Sequence, residues 1–278
     1  MELKEKLVSS FLAFENKGVL DLDSNVHAIR TASIQNFERD GFPTKKDEEW
    51  KYTSLRPLLK QDYCLFPTTE KPIGFKQVKE FLMNEIESYT LIFIDGVFSS
   101  FLSDTTHEDC DVCVLSSALT RPKYKMVVDN YFNTIANENN SLAELNTGFA
   151  VEGAFINIPK NTILPKPIQI LNFSTGSEKD VLLQPRNLVI VGENSHVQII
   201  ERHQSLTENP VLTNSVTEIF ANKRAIVDYY KVQNDNQSAT LIDNTFVKQM
   251  CCRLMKNRQY HFGFYRNPQW LFYAQIFP

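Results

Sequence analysis

SLAELNTGFAVEGAFINIPKN (141–161), PIQILNFS (167–174), QPRNLVIVGENSHVQIIERHQ (184–204), LTNSVTEIFANKRAIVDYYKVQ (212–233) and LIDNTFVKQ (241–249) follow one another in the second half of the chain. Each contains short apolar runs rich in Val, Ile, Phe, Tyr and Thr, closed by a polar or Gly/Asn-containing turn. β-Branched and aromatic side chains fit a pleated surface, so this is strand composition. The runs are too short to be amphipathic helices. Units ending at Pro159-Lys160-Asn161, Gly192-Glu193-Asn194 and Ala221-Asn222-Lys223 return about every 30 residues, a period that suits stacked coils. In such an array no unit can bury its apolar face alone. Prolines 159, 165, 167, 185 and 210 fall at presumed strand ends, where a missing N–H costs little. The stretch predicts a mainly β protein, built as a sandwich, a barrel or a β-solenoid.

Upstream the pattern is mostly helical. Leu3, Leu7, Phe11 and Phe14 form one apolar stripe and predict a helix over 2–17. Ser24 is a good N-cap for a second helix running to Arg39, with Gly41 and Pro43 ending it. Residues 45–53 carry charges of mixed sign and read as a solvated loop anchored by Trp50 and Tyr52. A short helix is expected over 75–88. Asp95-Gly96 between apolar runs signals a hairpin. Val112 to Leu115 reads as a strand, 124–138 as a helix, and Leu142 and Leu145 as part of another. Residues 1–140 therefore form a mostly helical α/β domain, and 141–249 the β core.

The sequence holds 278 residues, 42% of them apolar and 22% charged, enough for a sizeable core. A net charge of -4 offers no case for nucleic acid, which selects clustered Lys and Arg. No run approaches the length of a membrane span, and the charged start MELKEKLVSS lacks the apolar centre of a signal peptide. Five cysteines in unpatterned positions fit a reducing compartment, and the expectation is a cytoplasmic protein.

Candidate chemical groups are few. Glu48 and Glu49 are adjacent carboxylates that point in different directions in any regular structure, so acid/base work is not expected of them. His107-x-x-Cys110-x-x-Cys113 has metal-like spacing, but supplies one Cys pair and one His and reads as an exposed loop. Cys251 and Cys252 are vicinal thiols with no evident partners. Glu201 and His203 share one face of an extended strand with Val197 and Ile199, and this pair is the candidate metal site, for iron or zinc. The competing reading is a solvent-facing pair or a buried hydrogen-bonded one. Asp228, Tyr229, Tyr230 and Lys231 read as interface or surface residues.

EEWKYT (48–53), ELNTGFA (144–150), GAFINIPKN (153–161), PRNLVIVGENSHVQIIERH (185–203), LTNSVTEI (212–219) and DYYKVQ (228–233) occur in a recognisable order. Together they resemble the SufB/SufD family of iron–sulfur cluster assembly subunits, on the SufD side. The resemblance implies a right-handed parallel β-helix core between an N-terminal helical domain and a C-terminal helical one. It implies a non-catalytic scaffold that pairs with a SufB-like paralogue and docks a SufC-like ABC ATPase. This chain alone would bind no cofactor, and the complex would handle the iron–sulfur cluster and its iron. No Walker A motif occurs, in keeping with a subunit that is not itself an ATPase. A carbohydrate-active β-helix enzyme is the alternative, because architecture alone does not decide function.

After Gln249 the sequence changes over residues 250–278, where Met250 is followed by CCRLMKNRQYHFGFYRNPQWLFYAQIFP, crowded with aromatics and lacking a helical period. The expectation is an atypical tail from truncation or frameshift, with the family's C-terminal helical domain missing. A β-helix ending at Gln249 would expose an unpaired strand edge and leave the chain aggregation-prone. A shortened chain without function is then a further alternative.

Overall fold

The computed structural model describes residues 2–15, 24–67, 73–83, 86–105, 110–136, 140–175, 180–250, 260–263 and 270–277. The chain begins with helices α1 (Leu3–Glu15) and α2 (Asn25–Asp40). The Ser24 side chain accepts from the His27 amide at the start of α2, and Gly41 ends it at φ 70, a conformation glycine adopts freely. A 3-10 turn at Glu48–Trp50 and short helices α3 (Arg56–Leu59) and α4 (Phe75–Lys79) follow. Strands β1 (Tyr89–Ile94) and β2 (Val97–Phe98) form the hairpin expected at Asp95-Gly96, both of whose residues have positive φ. Next come β3 (Asp111–Val114) and helices α5 (Leu115–Thr120), α6 (Pro122–Tyr131) and α7 (Ser141–Gly148).

From there the chain is strands: β4 (Ala154–Ile158), β5 (Ile168–Ser174), β6 (Val181–Leu183), β7 (Arg186–Val191), β8 (His196–Ser205), β9 (Val211–Ala221), β10 (Ile226–Asn234), β11 (Thr240–Gln249), β12 (Tyr260–Gly263) and β13 (Trp270–Phe277). One sheet runs β12-β10-β8-β5-β1-β2 and the other β13-β11-β9-β7-β4-β3. Apart from β6, which pairs with the start of β9, successive strands alternate between the sheets, and every pairing within this series is parallel. This is a parallel β-solenoid, as expected. Each coil contributes one strand to each face, and the side chains between the faces fill a lumen.

The coils are held in register at one turn. Asn161, Asn194 and Arg224 take φ of 60, 57 and 58 at successive coils. Asn194 Nδ2 donates to Asn161 Oδ1 at 2.9 Å across 33 residues, and Arg224 Nε donates to Asn194 Oδ1 one coil later. Asparagine tolerates the left-handed region better than most residues, so a stacked ladder of this kind suits it.

Elements before residue 141 extend both sheets. β1 lies parallel to β5 over Tyr89↔Ile168 to Ile94↔Phe173, and β3 lies antiparallel to β4. The lumen core joins Leu91, Phe93, Val112 and Val114 to Ile156, Ile170, Val189 and Ile199. The remaining helices cover outer faces, with Phe132, Ala143 and Val128 packed against Phe155, Leu188 and Phe246.

Several sequence expectations change. The helix read over 75–88 stops at Lys79. The helix expected over 124–138 ends at Tyr131, because the amides of Asn133 and Ile135 donate to the Glu218 carboxylate at 2.8 and 3.2 Å and not to a preceding helical turn. Trp50 packs into an apolar cluster, but Tyr52 is 90% exposed and anchors nothing. Both sheets run on past Gln249: β12 pairs with β10 over Tyr230↔Tyr260 to Gln233↔Gly263, and β13 with β11 over Leu241↔Trp270 to Lys248↔Phe277. The strand edge expected to be bare after Gln249 is thus paired.

Candidate functional site

Inward-facing positions of the solenoid change character along the strands. Val197, Ile199, Val227, Ile219 and Ala221 make one end of the lumen apolar. At the other end Glu201, His203, Ser215, Thr217, Asp243 and Thr245 are all buried. The period of two on β8 puts Glu201 and His203 on the inner face, and parallel stacking brings Lys231 of the next coil beside Glu201. Asp243 and Thr245 come from the facing sheet, where they pair in register with Ser215 and Thr217.

These side chains meet. His203 Nε2 donates to Glu201 Oε1 at 2.9 Å. The Tyr229 hydroxyl donates to Glu201 Oε2, and Lys231 Nζ lies 3.3 Å from the same oxygen. Lys231 Nζ also donates to Asp243 Oδ1 and reaches Thr245 Oγ1 at 3.5 Å, crossing the lumen. The ammonium is therefore clamped between two carboxylates from different sheets.

Burial opposes the charge on Glu201, but Lys231, His203 and Tyr229 outweigh it and hold the carboxyl far below its ordinary range. An ionised carboxylate only accepts, so the proton shared with His203 sits on Nε2. Burial likewise opposes the Lys231 charge, and Asp243 and Glu201 overcome it, keeping the ammonium protonated. Asp243 is the group that yields: burial raises its pKa, and the Glu201 charge adds to that against the pull of Lys231. Burial, then Glu201 and Asp243, push the Tyr229 phenol well above its usual value. None of this activates a nucleophile, since the amine stays charged and the phenol stays neutral.

The expected pair Glu201 and His203 does come together, as a buried hydrogen-bonded pair within a larger charge-balanced network. Both Glu201 oxygens already accept from protein donors, and Lys231 occupies the position next to them. Among the described residues no group of three His, Cys, Asp or Glu side chains is placed to hold a metal ion. Tyr229 and Lys231 face the lumen, not a surface, which corrects the sequence reading. Adding the coil repeat of 30 residues, seen in Asn187 and Thr217, to Glu201 points to Lys231. That arithmetic was the signal available for the ammonium. Asp243 approaches from the facing sheet and has no such signal.

Other candidates separate. Glu48 and Glu49 are exposed. Cys110 is buried and Cys113 sits in β3, where burial pushes its thiol up to about 11; His107, Cys251 and Cys252 lie outside the described residues. A second buried ion pair has no sign in the sequence pattern: Arg186 Nη2 meets Glu218 Oε2 at 2.5 Å on the outer face of β7 and β9. Arg186 Nη1 donates to Thr147 Oγ1 at 2.8 Å, Nη2 to Asn133 Oδ1 at 3.2 Å, and the guanidinium stacks over Phe132. Asn146 Nδ2 donates to the Pro185 and Asn214 carbonyls at 3.0 and 2.8 Å. LNT (145–147), PRN (185–187) and VTE (216–218), which lie within the stretches carrying the family resemblance, thus fasten α7 and the segment after α6 onto the solenoid.

The sequence matches two family descriptions in tandem: SufBD protein N-terminal region over residues 1–170, and SUF system FeS cluster assembly, SufBD core domain, over residues 173–263. The chain belongs to the SufBD family. An iron-sulfur cluster assembly SufBD family protein of Synechocystis sp. is 27% identical over 215 residues, covering 74% of this chain and 47% of the relative. A chloroplastic SufBD family protein of Arabidopsis thaliana is 29% identical over 236 residues, covering 74% and 41%. Escherichia coli SufD is 34% identical over 73 residues, covering 26% and 16%. The chain spans about half or less of the length of these relatives, 47% of the first. The core-domain match runs through Gly263 and so takes in β12. Among the described residues no helix is long and apolar enough to cross a membrane.

Proposed function

We propose that this chain is a non-catalytic, SufD-like subunit of an iron–sulfur cluster assembly complex. It works with a SufB-like paralogue and a SufC-like ATPase, and takes part in scaffold formation and iron delivery. The nascent cluster is cargo of the complex and is not resident in this chain alone. The supporting observation is the tandem match to the SufBD N-terminal region and core domain. A solenoid alone would also suit a carbohydrate-active enzyme, and the family match favours the assembly reading. The lumen network agrees with a scaffold, because its charges compensate one another and leave no activated group.

The test is affinity purification of the tagged chain from its own cells, followed by identification of associated chains, with complementation of a strain lacking its gene. Co-elution of SufB-like and SufC-like proteins with restored activity of iron–sulfur enzymes is the expected result. A chain that elutes alone and restores nothing would overturn the proposal. We place the activity in the cytoplasm as part of the same reading, checked by fractionation, since an Arabidopsis relative is chloroplastic.

A further inference from the structure

The two carboxyl groups that hold Lys231 are not equivalent. Glu201 receives three donors: His203 Nε2 at 2.9 Å, the Tyr229 hydroxyl, and Lys231 Nζ at 3.3 Å. Asp243 receives Lys231 Nζ on Oδ1, and its Oδ2 is buried with no hydrogen-bond partner among the described residues. Ser215, its register neighbour on β9, faces the same lumen, and the Ser215 hydroxyl is likewise buried without a partner. A carboxylate oxygen removed from water without a donor is costly, whereas a protonated one becomes a donor itself. The charge count points the same way. Glu201 and His203 come from β8 and Tyr229 and Lys231 from β10, while β5, β7 and β9 turn only uncharged residues inward. In register, β12 places His261 next to Lys231 and β13 places Phe272 next to Asp243. With both carboxyl groups ionised, two buried negative charges would face one ammonium, an imbalance that a buried network tolerates poorly.

We propose that Asp243 holds a proton on Oδ2 and is a pH-operated latch of the lumen: the proton keeps the network neutral, and its loss as pH rises weakens the junction of the two sheets at Lys231. Glu201 is then the counter-ion of the ammonium, and Asp243 is a neutral acid whose Oδ1 accepts from it. Burial favours the neutral acid, Lys231 opposes it and the Glu201 charge supports it, with a net rise from the ordinary value of 3.8. The folded chain thus holds this proton more tightly than the unfolded one. Its contribution to stability is complete below 3.8 and is lost as pH rises through the higher folded value, the opposite direction to Glu201.

Unfolding of the full chain in urea at pH 5 reads the proton directly, because an ordinary aspartate is ionised there. The parent should release about one proton more on unfolding than Asp243→Asn, whose amide copies the shape of the neutral acid. The carbon-13 shift of the Asp243 carboxyl in the folded chain should be that of a neutral acid at pH 5. Between pH 5 and pH 8 the urea midpoint of the parent should fall relative to that of Asp243→Asn. His261→Asn should leave the extra proton in place. Equal proton release from the parent and Asp243→Asn would overturn the proposal, as would loss of the extra proton in His261→Asn. So would an ionised Asp243 carboxyl at pH 5 with the balancing proton on His203, read from its ring nitrogen shifts. The carboxyl shift needs no variant, so it decides the matter even where Asp243→Asn fails to fold.

Discussion

Lys231 shows how one residue can define an interior. It spans the lumen from β10 to Asp243 on β11 while touching Glu201 on β8, so three strands meet at one ammonium. A buried charge that loses its partner is destabilising by about 3–5 kcal/mol, whereas an apolar replacement of a whole pair is often neutral. Lys231→Met should therefore lower the unfolding free energy by about 3 kcal/mol, and adding Asp243→Leu should recover part of it, as measured by urea denaturation. If Lys231→Met left the urea midpoint unchanged, the network would carry no stability. Glu201 gives a pH test. Its folded pKa lies below the unfolded value of 4.5, so its contribution is present above 4.5 and shrinks as pH falls below it. The loss caused by Glu201→Gln should then be smaller at pH 3.5 than at pH 7 by about 1.4 kcal/mol, since each pH unit below the unfolded pKa removes about that much. A loss independent of pH would mean that Glu201 acts by packing alone.

Among the elements, the stacked turns carry a second kind of order. Asn194 combines a left-handed backbone at φ 57 with a hydrogen bond to Asn161, and the two effects can be separated. Asn194→Ala loses both and should cost about 1–2 kcal/mol, while Asn194→Gly keeps the backbone freedom and should cost less. Equal losses would assign the whole effect to the ladder bond. Gly153 is stricter, because at φ 148 an added Cβ would lie 1.9 Å from the Arg186 carbonyl oxygen. What the sequence revealed at this scale follows from how local each signal is. Asp95-Gly96 fixes its hairpin within four residues, and Ser24 and Gly41 cap α2 by their own chemistry, so these were legible. The early end of α6 was not, since the carboxylate that takes its amides is Glu218, 85 residues away from Asn133. Tyr229 and Lys231 alternate with Asp228 and Tyr230 in a way that looks solvent-facing, and only the coil repeat turns them inward. The metal reading of Glu201 and His203 rested on a correct face but lacked Lys231, the neighbour that changes the electrostatics.

For the molecule as a whole, the question is whether the N-terminal region is an appendage or part of the solenoid. β1 and β3 continue the two sheets beyond β5 and β4, and the Arg186–Glu218 pair is completed by Thr147 on α7 and by Phe132 and Asn133 in the segment after α6. Removing residues 1–140 would strip the edges of β4 and β5, open the lumen at Ile156 and Ile170, and take away Asn133 and Phe132, leaving Thr147 alone of these partners on α7. The two regions should thus unfold together. The chain has two tryptophans, and Trp270→Phe leaves Trp50, which packs against the apolar cluster that includes Leu55, Leu142 and Phe149, as a reporter of the N-terminal side. Its fluorescence and the far-ultraviolet circular dichroism of the strands should give one urea midpoint. Arg186→Met leaves Glu218 buried without its cation, so it should lower that shared midpoint by an amount equivalent to about 3–5 kcal/mol while keeping the two probes coincident. If the probes separated in the parent chain, the regions would be independent domains. If they separated only in Arg186→Met, the ion pair would be what joins them, and the sheet extensions through β1 and β3 would be too weak to do so.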